Sequence, residues 1–161
     1  MTDHYFSARP GAPHRPGQVR VILPDVYLEL ATDAGVFSPG RLDPGTRLLL
    51  EEAPAPPARG DVLDLGCGYG PVACVLAARS PGAAVWAVDV NERALELCAR
   101  NARTAGLANV RCLPPGDAAL PARFASVELC FGFFPLYSSI SVKTFAFLAS
   151  SSEICLSISL I

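Results

Sequence analysis

The sequence predicts an α/β protein with a doubly wound sheet, and three observations point to it. Residues 62–65 form a short apolar run, which is the pattern of a buried strand. Glycines follow at the alternate positions Gly66, Gly68 and Gly70, and an alanine-rich apolar run continues to Ala78. Strand, glycine turn and helix in this order open a doubly wound sheet, because glycine lets the backbone reverse tightly.

The composition sets the class of protein. The chain has 161 residues, the size of one domain, and 51% of them are hydrophobic. The charged fraction of 17% is too low for a wholly disordered chain. The net charge of −2 gives no overall basic field, so a nucleic-acid partner would need a local basic patch.

Cysteine usage indicates a reducing compartment. No two cysteines form a C-x-x-C pair, and the polar, aromatic N-terminus is unlike a signal peptide. We therefore expect a cytoplasmic protein with free thiols, and no metal site, since His4 and His14 are isolated. The six cysteines are Cys67, Cys74, Cys98, Cys112, Cys130 and Cys155.

The region before the glycine turn predicts smaller elements. Residues 4–17 are rich in proline and glycine, which indicates an extended lead-in. Val19–Leu23 and Tyr27–Leu30 are strand candidates that form a hairpin across Pro24-Asp25.

A short helix is expected next, over residues 47–53. Asp43–Thr46 is a turn that leads into it, with Thr46 as the N-cap. Three prolines, beginning at Pro54, end this helix.

The glycine turn also indicates the type of ligand. A dinucleotide-binding turn reads G-x-G-x-x-G, and its third glycine would fall at Pro71. Asp64 would lie badly beside a pyrophosphate and suits a cationic ligand. A glycine-rich turn without a ligand stays open. Asp64–Gly70 resembles the first motif of class I S-adenosylmethionine (SAM) methyltransferases, and SAM carries a sulfonium and an ammonium but no phosphate.

Residues 83–90 predict a second buried strand, which ends on Asp89. An acidic residue at this place, about 20 residues after the glycines, is positioned for the ribose hydroxyls of a nucleoside. Its alternative role is a helix cap, which Asn91 already supplies. A helix over Asn91–Ala105 should end at Gly106 and face the sheet through Ala94, Leu95, Cys98 and Ala102.

Six stretches carry a wider resemblance: Tyr5–Gly11, Asp33–Ser38, Leu42–Leu50, Val62–Pro71, Val88–Leu97 and Asn101–Val110. Through them residues 4–127 closely resemble the methyltransferase small domain family, which comprises ribosomal-RNA guanine-N2 methyltransferases and their relatives. The resemblance implies a Rossmann-like SAM-binding core over 59–127, a lead-in and cofactor flap over 1–58, and transfer of a methyl group to the N2 amine of guanine in ribosomal RNA. The cofactor residues that it implies are Phe37, Thr46, Asp64, Gly66, Gly68, Asp89, Asp117 and Ala118.

Some of these roles have alternatives. A flap of residues 35–38 and 42–46 would put Phe37 against the cofactor, but the same stretch reads as a connector whose Phe37 fills the core. A third strand over Asn109–Leu113 leads to a loop in which Asp117 would accept from the adenine amino group and Ala118 would pack on the ring. Otherwise Asp117 is an aspartate in an ordinary turn.

The sequence departs from the family after residue 127. The family's fourth strand, expected here over 127–131, ends in Asn-Pro-Pro, and Ala125–Tyr137 lacks that motif. All twelve arginines lie at or before Arg123, whereas residues 128–161 are rich in serine. We expect an atypical tail, a sheet whose C-terminal half is missing or replaced, and unknown catalytic residues. A changed reading frame or exon structure is one hypothesis, and an inactive SAM-binding fragment or interaction module is the functional alternative.

Overall fold

The computed structural model describes residues 8–122 and 124, together with the backbone of residues 126–129. These residues form a two-stranded hairpin, a four-stranded sheet and three helices. The elements in chain order are β1 (Gly17–Ile22), β2 (Tyr27–Thr32), α1 (Pro44–Glu52), β3 (Gly60–Leu65), α2 (Pro71–Arg79), β4 (Ala83–Val88), α3 (Glu92–Thr104), β5 (Val110–Leu113) and β6 (Ser126–Leu129).

The four later strands form a parallel sheet in the order β5-β4-β3-β6. The first strand of this sheet, β3, lies in its middle. β4 and then β5 follow on one side of β3, and β6 pairs with its other side. Val62 and Val85, which pair in register, share one buried core with the apolar residues of α2 and α3. The predicted doubly wound α/β fold is therefore confirmed.

The hairpin belongs to the same core. Val19 lies opposite Leu30 and Val21 opposite Leu28, and all four side chains are buried while their neighbours along each strand face outwards. This alternation is the pattern of a sheet with one packed face. The predicted hairpin is confirmed, and it packs against α3 through β2.

Helix α1 begins earlier than the sequence predicted, and its cap is different. Asp43 is the N-cap, since its Oδ2 accepts from the backbone N–H of Thr46 at 3.0 Å. The prediction that Thr46 caps the helix was wrong, because Thr46 is the third residue inside the helix. Its hydroxyl also lies within hydrogen-bond reach of Oδ2 of Asp43, at 3.4 Å. Pro44 takes the first helical position, where a missing N–H costs nothing.

Helix α3 follows the prediction more closely. Asn91 caps it, with its side-chain oxygen accepting from the N–H groups of Arg93 and Ala94. Ala94, Cys98 and Ala102 are buried as predicted, whereas Leu95 is only half-buried. The sequence prediction missed two further buried positions, Leu97 and Asn101.

Two strand ends also differ from expectation. β4 ends at Val88, so Asp89 is the first residue of the following loop. β6 covers Ser126–Leu129, and the rest of the predicted fourth strand, the tail from Cys130 onwards and His4 lie outside the described residues. No helix in the described part is long and apolar enough to cross a membrane.

The glycine turn and α3 are packed so closely that the turn requires glycine at position 70. Gly70 has φ +92°, and a Cβ there would lie 2.6 Å from Sγ of Cys98. Cys67, Cys74, Cys98 and Cys112 are free thiols, as expected. Burial raises the pKa of Cys74 to about 12, so this thiol stays protonated at neutral pH.

We predict that Gly70→Ala lowers the free energy of unfolding by about 3 kcal/mol, because it adds overpacking to the strain of a left-handed residue. Gly106→Ala is the matched control, since Gly106 has φ +71° but open space around its Cβ position. It should cost only about 1 kcal/mol in urea unfolding. In a Cys98→Ala background, Gly70→Ala should lower the free energy of unfolding by less, because Sγ is gone. An equal loss for Gly70→Ala and Gly106→Ala in the wild-type background would contradict the close packing.

Candidate functional site

Three loops meet at one edge of the sheet. The glycine turn follows β3, Asp89 follows β4, and the loop with Asp117 follows β5. Because the strands are parallel, their carboxyl ends lie together, and this edge is where doubly wound sheets bind ligands. The edge therefore collects the candidate residues that the sequence predicts from these three loops.

The N–H groups of the glycine turn are bound inside the protein. Gly66 and Cys67 donate to the carbonyl of Val88 at 2.8 and 3.1 Å. Gly68 donates to Oδ2 of Asp89 at 2.8 Å. A phosphate-binding turn directs such donors at its ligand. This turn instead presents a carboxylate at that place, which disfavours a pyrophosphate.

Asp89 is fixed by two backbone bonds. Its Oδ2 accepts from Gly68 and its Oδ1 accepts from the N–H of Asn91 at 2.9 Å. An ionised carboxylate has about four acceptor sites, so roughly two are left for other donors. The side chain is half-buried, and it joins the end of β4 to the glycine turn. Its predicted bond to ribose hydroxyls stays a prediction.

Asp64 has a different position. It is fully buried, and its Oδ2 accepts from the N–H of Ala73 in the first turn of α2 at 2.9 Å. A carboxylate there is stabilised by the positive end of the helix dipole. Asp64 thus fixes α2 against β3, and its predicted contact with a cationic ligand stays a prediction.

The turn has the open surface that a bound nucleoside needs. A Cβ on Gly68 would have no atom within 4 Å, and its φ of +56° suits glycine. Gly66 also has a positive φ, of +81°. Bare backbone beside a carboxylate is compatible with SAM, which carries a sulfonium, an ammonium and one carboxylate but no phosphate.

The predicted flap is attached close to this carboxylate. Asn91, whose N–H binds Asp89, donates through Nδ2 to the carbonyl of Gly35 at 2.8 Å. Val36 is buried and Phe37 is half-buried. Residues 35–37 therefore lie beside the carboxyl end of β4. The contact of Phe37 with a cofactor and the role of Thr46 stay predictions.

The lead-in is bonded to Asp33, which lies just before the flap. Oδ2 of Asp33 lies 2.5 Å from Nδ1 of His14, and its Oδ1 accepts from the N–H groups of Arg15 and Ala34. Burial opposes the ionisation of Asp33, but these bonds outweigh it and lower its pKa. His14 is thus a largely exposed residue whose ring is bonded to Asp33.

Arg93 adds a second connection between the lead-in and the flap. Its guanidinium donates to the carbonyls of Ala12 and Ala34 at 2.9 and 2.6 Å, and more weakly to that of Pro10. Residues 10–12 and 34 are therefore joined to the first turn of α3.

The loop after β5 offers a further acceptor. Asp117 is half-buried, and its Oδ1 accepts from the N–H of Ala119 at 2.8 Å, which closes a local turn. Gly116 has φ +78° and Ala118 is exposed. The adenine contacts predicted for Asp117 and Ala118 stay predictions.

Asn101 is the buried residue that the sequence interpretation missed. Its Nδ2 donates to the carbonyls of Ala31 and Tyr69, and its Oδ1 accepts from the N–H of Ala31, all at 2.8 Å. It therefore joins α3, the hairpin and the glycine turn. A polar residue three positions after Cys98, on the apolar side of the helix, was the available sign.

The described residues contain no cluster of three or more histidine, cysteine or acidic side chains that could hold a metal ion. The carboxylates of Asp64 and Asp89 at the site already accept hydrogen bonds from backbone N–H groups.

Comparison with known proteins agrees with this geometry. The methyltransferase small domain family matches residues 27–119, which include the hairpin's second strand, the glycine turn and the loop after β5. The chain belongs to this family. Uncharacterized protein YbxB of Bacillus subtilis is 37% identical over 111 residues, which cover 69% of this chain and 55% of that protein.

Other proteins that are similar to this chain carry more specific names. Ribosomal RNA small subunit methyltransferase C of Shewanella amazonensis is 36% identical over 63% of this chain and 29% of its own length. The Thermus thermophilus 16S rRNA N2 G1207 methyltransferase in complex with AdoMet and guanosine superposes with a TM-score of 0.62 and 27% identity. That superposition covers 77% of this chain and 35% of the other, so the chain spans about half or less of these relatives.

We predict that Asp33 makes the fold sensitive to acid. Because the pKa of Asp33 is lower in the folded chain than its ordinary 3.8, its contribution to stability is present above that value and is lost as the pH falls through the lowered one. Asp33→Asn should lower the free energy of unfolding at neutral pH by about 1–2 kcal/mol, and this difference should shrink below the ordinary pKa. Urea unfolding at a series of pH values measures this difference. The control is Glu96→Gln, because Glu96 is an exposed residue of α3.

Proposed function

We propose that this chain is the SAM-binding part of a methyltransferase that acts on RNA. The observation that carries the proposal is the carboxylate of Asp89, which is fixed beside the bare backbone of Gly68 and retains acceptor capacity. Membership of the methyltransferase small domain family and the similarity to ribosomal RNA methyltransferases support the same function.

The residues that would hold SAM come from the three loops at the carboxyl edge. Asp89 would accept from the ribose hydroxyls, and Gly66 and Gly68 would let the nucleoside lie on the backbone. Asp117 and Ala118 would meet the adenine. Phe37 would cover the ligand from the flap, whose base is the Asp43 cap bonded to Thr46. Asp64, bonded to Ala73, adds negative charge behind the turn.

The chemistry is an in-line displacement at carbon. When bound, SAM supplies an electrophilic methyl group on a positively charged sulfur. The attacking amine gives its lone pair to that carbon as the carbon–sulfur bond breaks, and it then loses a proton to water or a base. The protein's task is to align the amine and to exclude water, which is worth several kcal/mol of barrier. In this chain the flap attached by Asn91 would exclude water.

The finer proposal is transfer to the exocyclic N2 amine of guanine in ribosomal RNA. Support comes from the similar Thermus thermophilus protein, which is a 16S rRNA N2 G1207 methyltransferase in complex with guanosine. A second candidate function rests on the sequence that follows β6, which has no Asn-Pro-Pro. Without an amide side chain to accept from the target amine, the chain would bind SAM and transfer nothing.

We predict that the wild-type chain binds SAM and that Asp89→Ala weakens this binding by about 10–100-fold, through loss of charge-assisted hydrogen bonds. Because Asp89 also shapes the turn, a ligand comparison isolates its ribose role. Removing both ribose hydroxyls from SAM should weaken binding to the wild type and have no effect on Asp89→Ala. Calorimetry measures both, and a hydroxyl effect that survives in the variant would contradict the ribose role. Glu96→Gln is the control.

We also predict that tritium from labelled SAM enters ribosomal RNA as N2-methylguanosine, which digestion to nucleosides and chromatography would identify. Binding of SAM without transfer would select the inactive fragment instead. Label on another atom or nucleoside would overturn the guanine-N2 assignment and leave RNA methylation in place.

A further inference from the structure

A basic groove lies beside the flap. It has a volume of about 410 Å³ and is lined by Gln18, Val19, Arg20, Gly40, Arg41 and Leu42. The lining contains two arginines and a glutamine and no acidic residue, although the whole chain has a net charge of −2. The groove is therefore a local reversal of charge.

The loop that carries Arg41 is attached to the cofactor site. Its carbonyl accepts from Oγ of Ser38 at 2.8 Å, and the hydroxyl of the buried Tyr69 lies 3.5 Å from the same oxygen. Ser38 is the last residue of the flap's first part, and Tyr69 belongs to the glycine turn. The Arg41 side chain is exposed, so it extends from a backbone that is held by both parts of the site.

The guanidinium groups of this groove remain available for a ligand. Within the described part of the chain, no carboxylate lies within 4.0 Å of the Arg41 side chain. Arg20 has a partner in Glu29 at 3.4 Å, but both side chains are largely exposed, and such pairs contribute little.

A second groove, which Asp25 and Arg79 line, differs in this respect. There, Arg79 donates to both oxygens of Asp25 and to the carbonyl of Leu50. Because the guanidinium of Arg79 already has these partners, it is poorly placed to bind an anionic ligand.

We propose that the groove of Arg20 and Arg41 binds the phosphate backbone of the RNA substrate and leads it to the flap. Guanidinium groups bind phosphate through two parallel hydrogen bonds, and such bonds position nucleic acid without reading its sequence. Gln18 adds a neutral donor for a phosphate or a 2′-hydroxyl. The proposal rests on the proposed function, since it assigns a surface to the same RNA.

The test is RNA binding by the full chain with SAM present, measured by fluorescence anisotropy with a labelled RNA hairpin whose loop contains guanine. Arg41→Ala should weaken binding about tenfold and lower the slope of log K against log salt by about 1 for each phosphate that the variant no longer binds. Arg20→Ala should act in the same direction, and Arg41→Lys should weaken binding less than Arg41→Ala does.

The matched control is Arg59→Ala, because Arg59 is exposed at the opposite, amino end of β3 and carries the same charge. It should bind RNA as the wild type does. Glu29→Gln should tighten binding, since it removes the anion beside Arg20. All these variants should keep the wild-type affinity for SAM.

Binding and transfer distinguish the two proposals. If Arg41→Ala and Arg20→Ala bind RNA like Arg59→Ala, or if the wild type binds no RNA, the groove assignment is overturned. If RNA is bound through the groove but receives no methyl group, the groove stands and the methyl-transfer function fails.

Discussion

The glycine turn has its shape because side chains from three other parts of the chain bind the backbone of the turn and of the helix that follows it. Asp89 after β4 takes the N–H of Gly68, and Asp64 in β3 takes the N–H of Ala73, just beyond the turn. Asn101 in α3 takes the carbonyl of Tyr69. Two of these three groups are fully or almost fully buried, and losing one would leave a polar partner unsatisfied in the core. The backbone surface that a nucleoside would contact is thus fixed by buried side chains beneath it. Asp64 and Asn101 cannot move without disturbing the core.

The same dependence explains why the N-terminal part is joined to the sheet that follows it. Asn101 hydrogen-bonds both the N–H and the carbonyl of Ala31, as a neighbouring strand would. Arg93 donates to the carbonyls of Ala12 in the lead-in and of Ala34. Hairpin, lead-in and flap therefore share helix α3 as their support.

Most of the fold could be predicted from the sequence, since it depends on short-range patterns. Three local patterns each predict a single structure. The apolar run before Gly66 predicts a strand, the alanine-rich run after it predicts helix α2, and Asn91 predicts the N-cap of α3. The cap of α1 could not be assigned with equal ease, because Asp43 and Thr46 are both good N-cap residues and the proline between them decides. At the site, the positions of Asp89 and the glycines could be predicted, because each comes directly after a strand that the sequence predicts. The roles of Asn101 and Arg93 depend on contacts with residues about 60–80 positions earlier, which no local pattern encodes.

The charge of the site would separate the two ligands proposed for it, SAM and RNA. A carboxylate at the turn and another behind it make this edge unfavourable for phosphate and favourable for a cationic nucleoside. An RNA is a polyanion, so the edge proposed to bind SAM would repel the backbone of an RNA substrate. Only the target base, which is neutral, could approach the turn without that cost. The phosphates would need a surface of opposite sign at some distance, and a base turned out of its stack would join the two places. The carboxylates at the turn and the arginines of the groove beside the flap would then serve these two ligands separately.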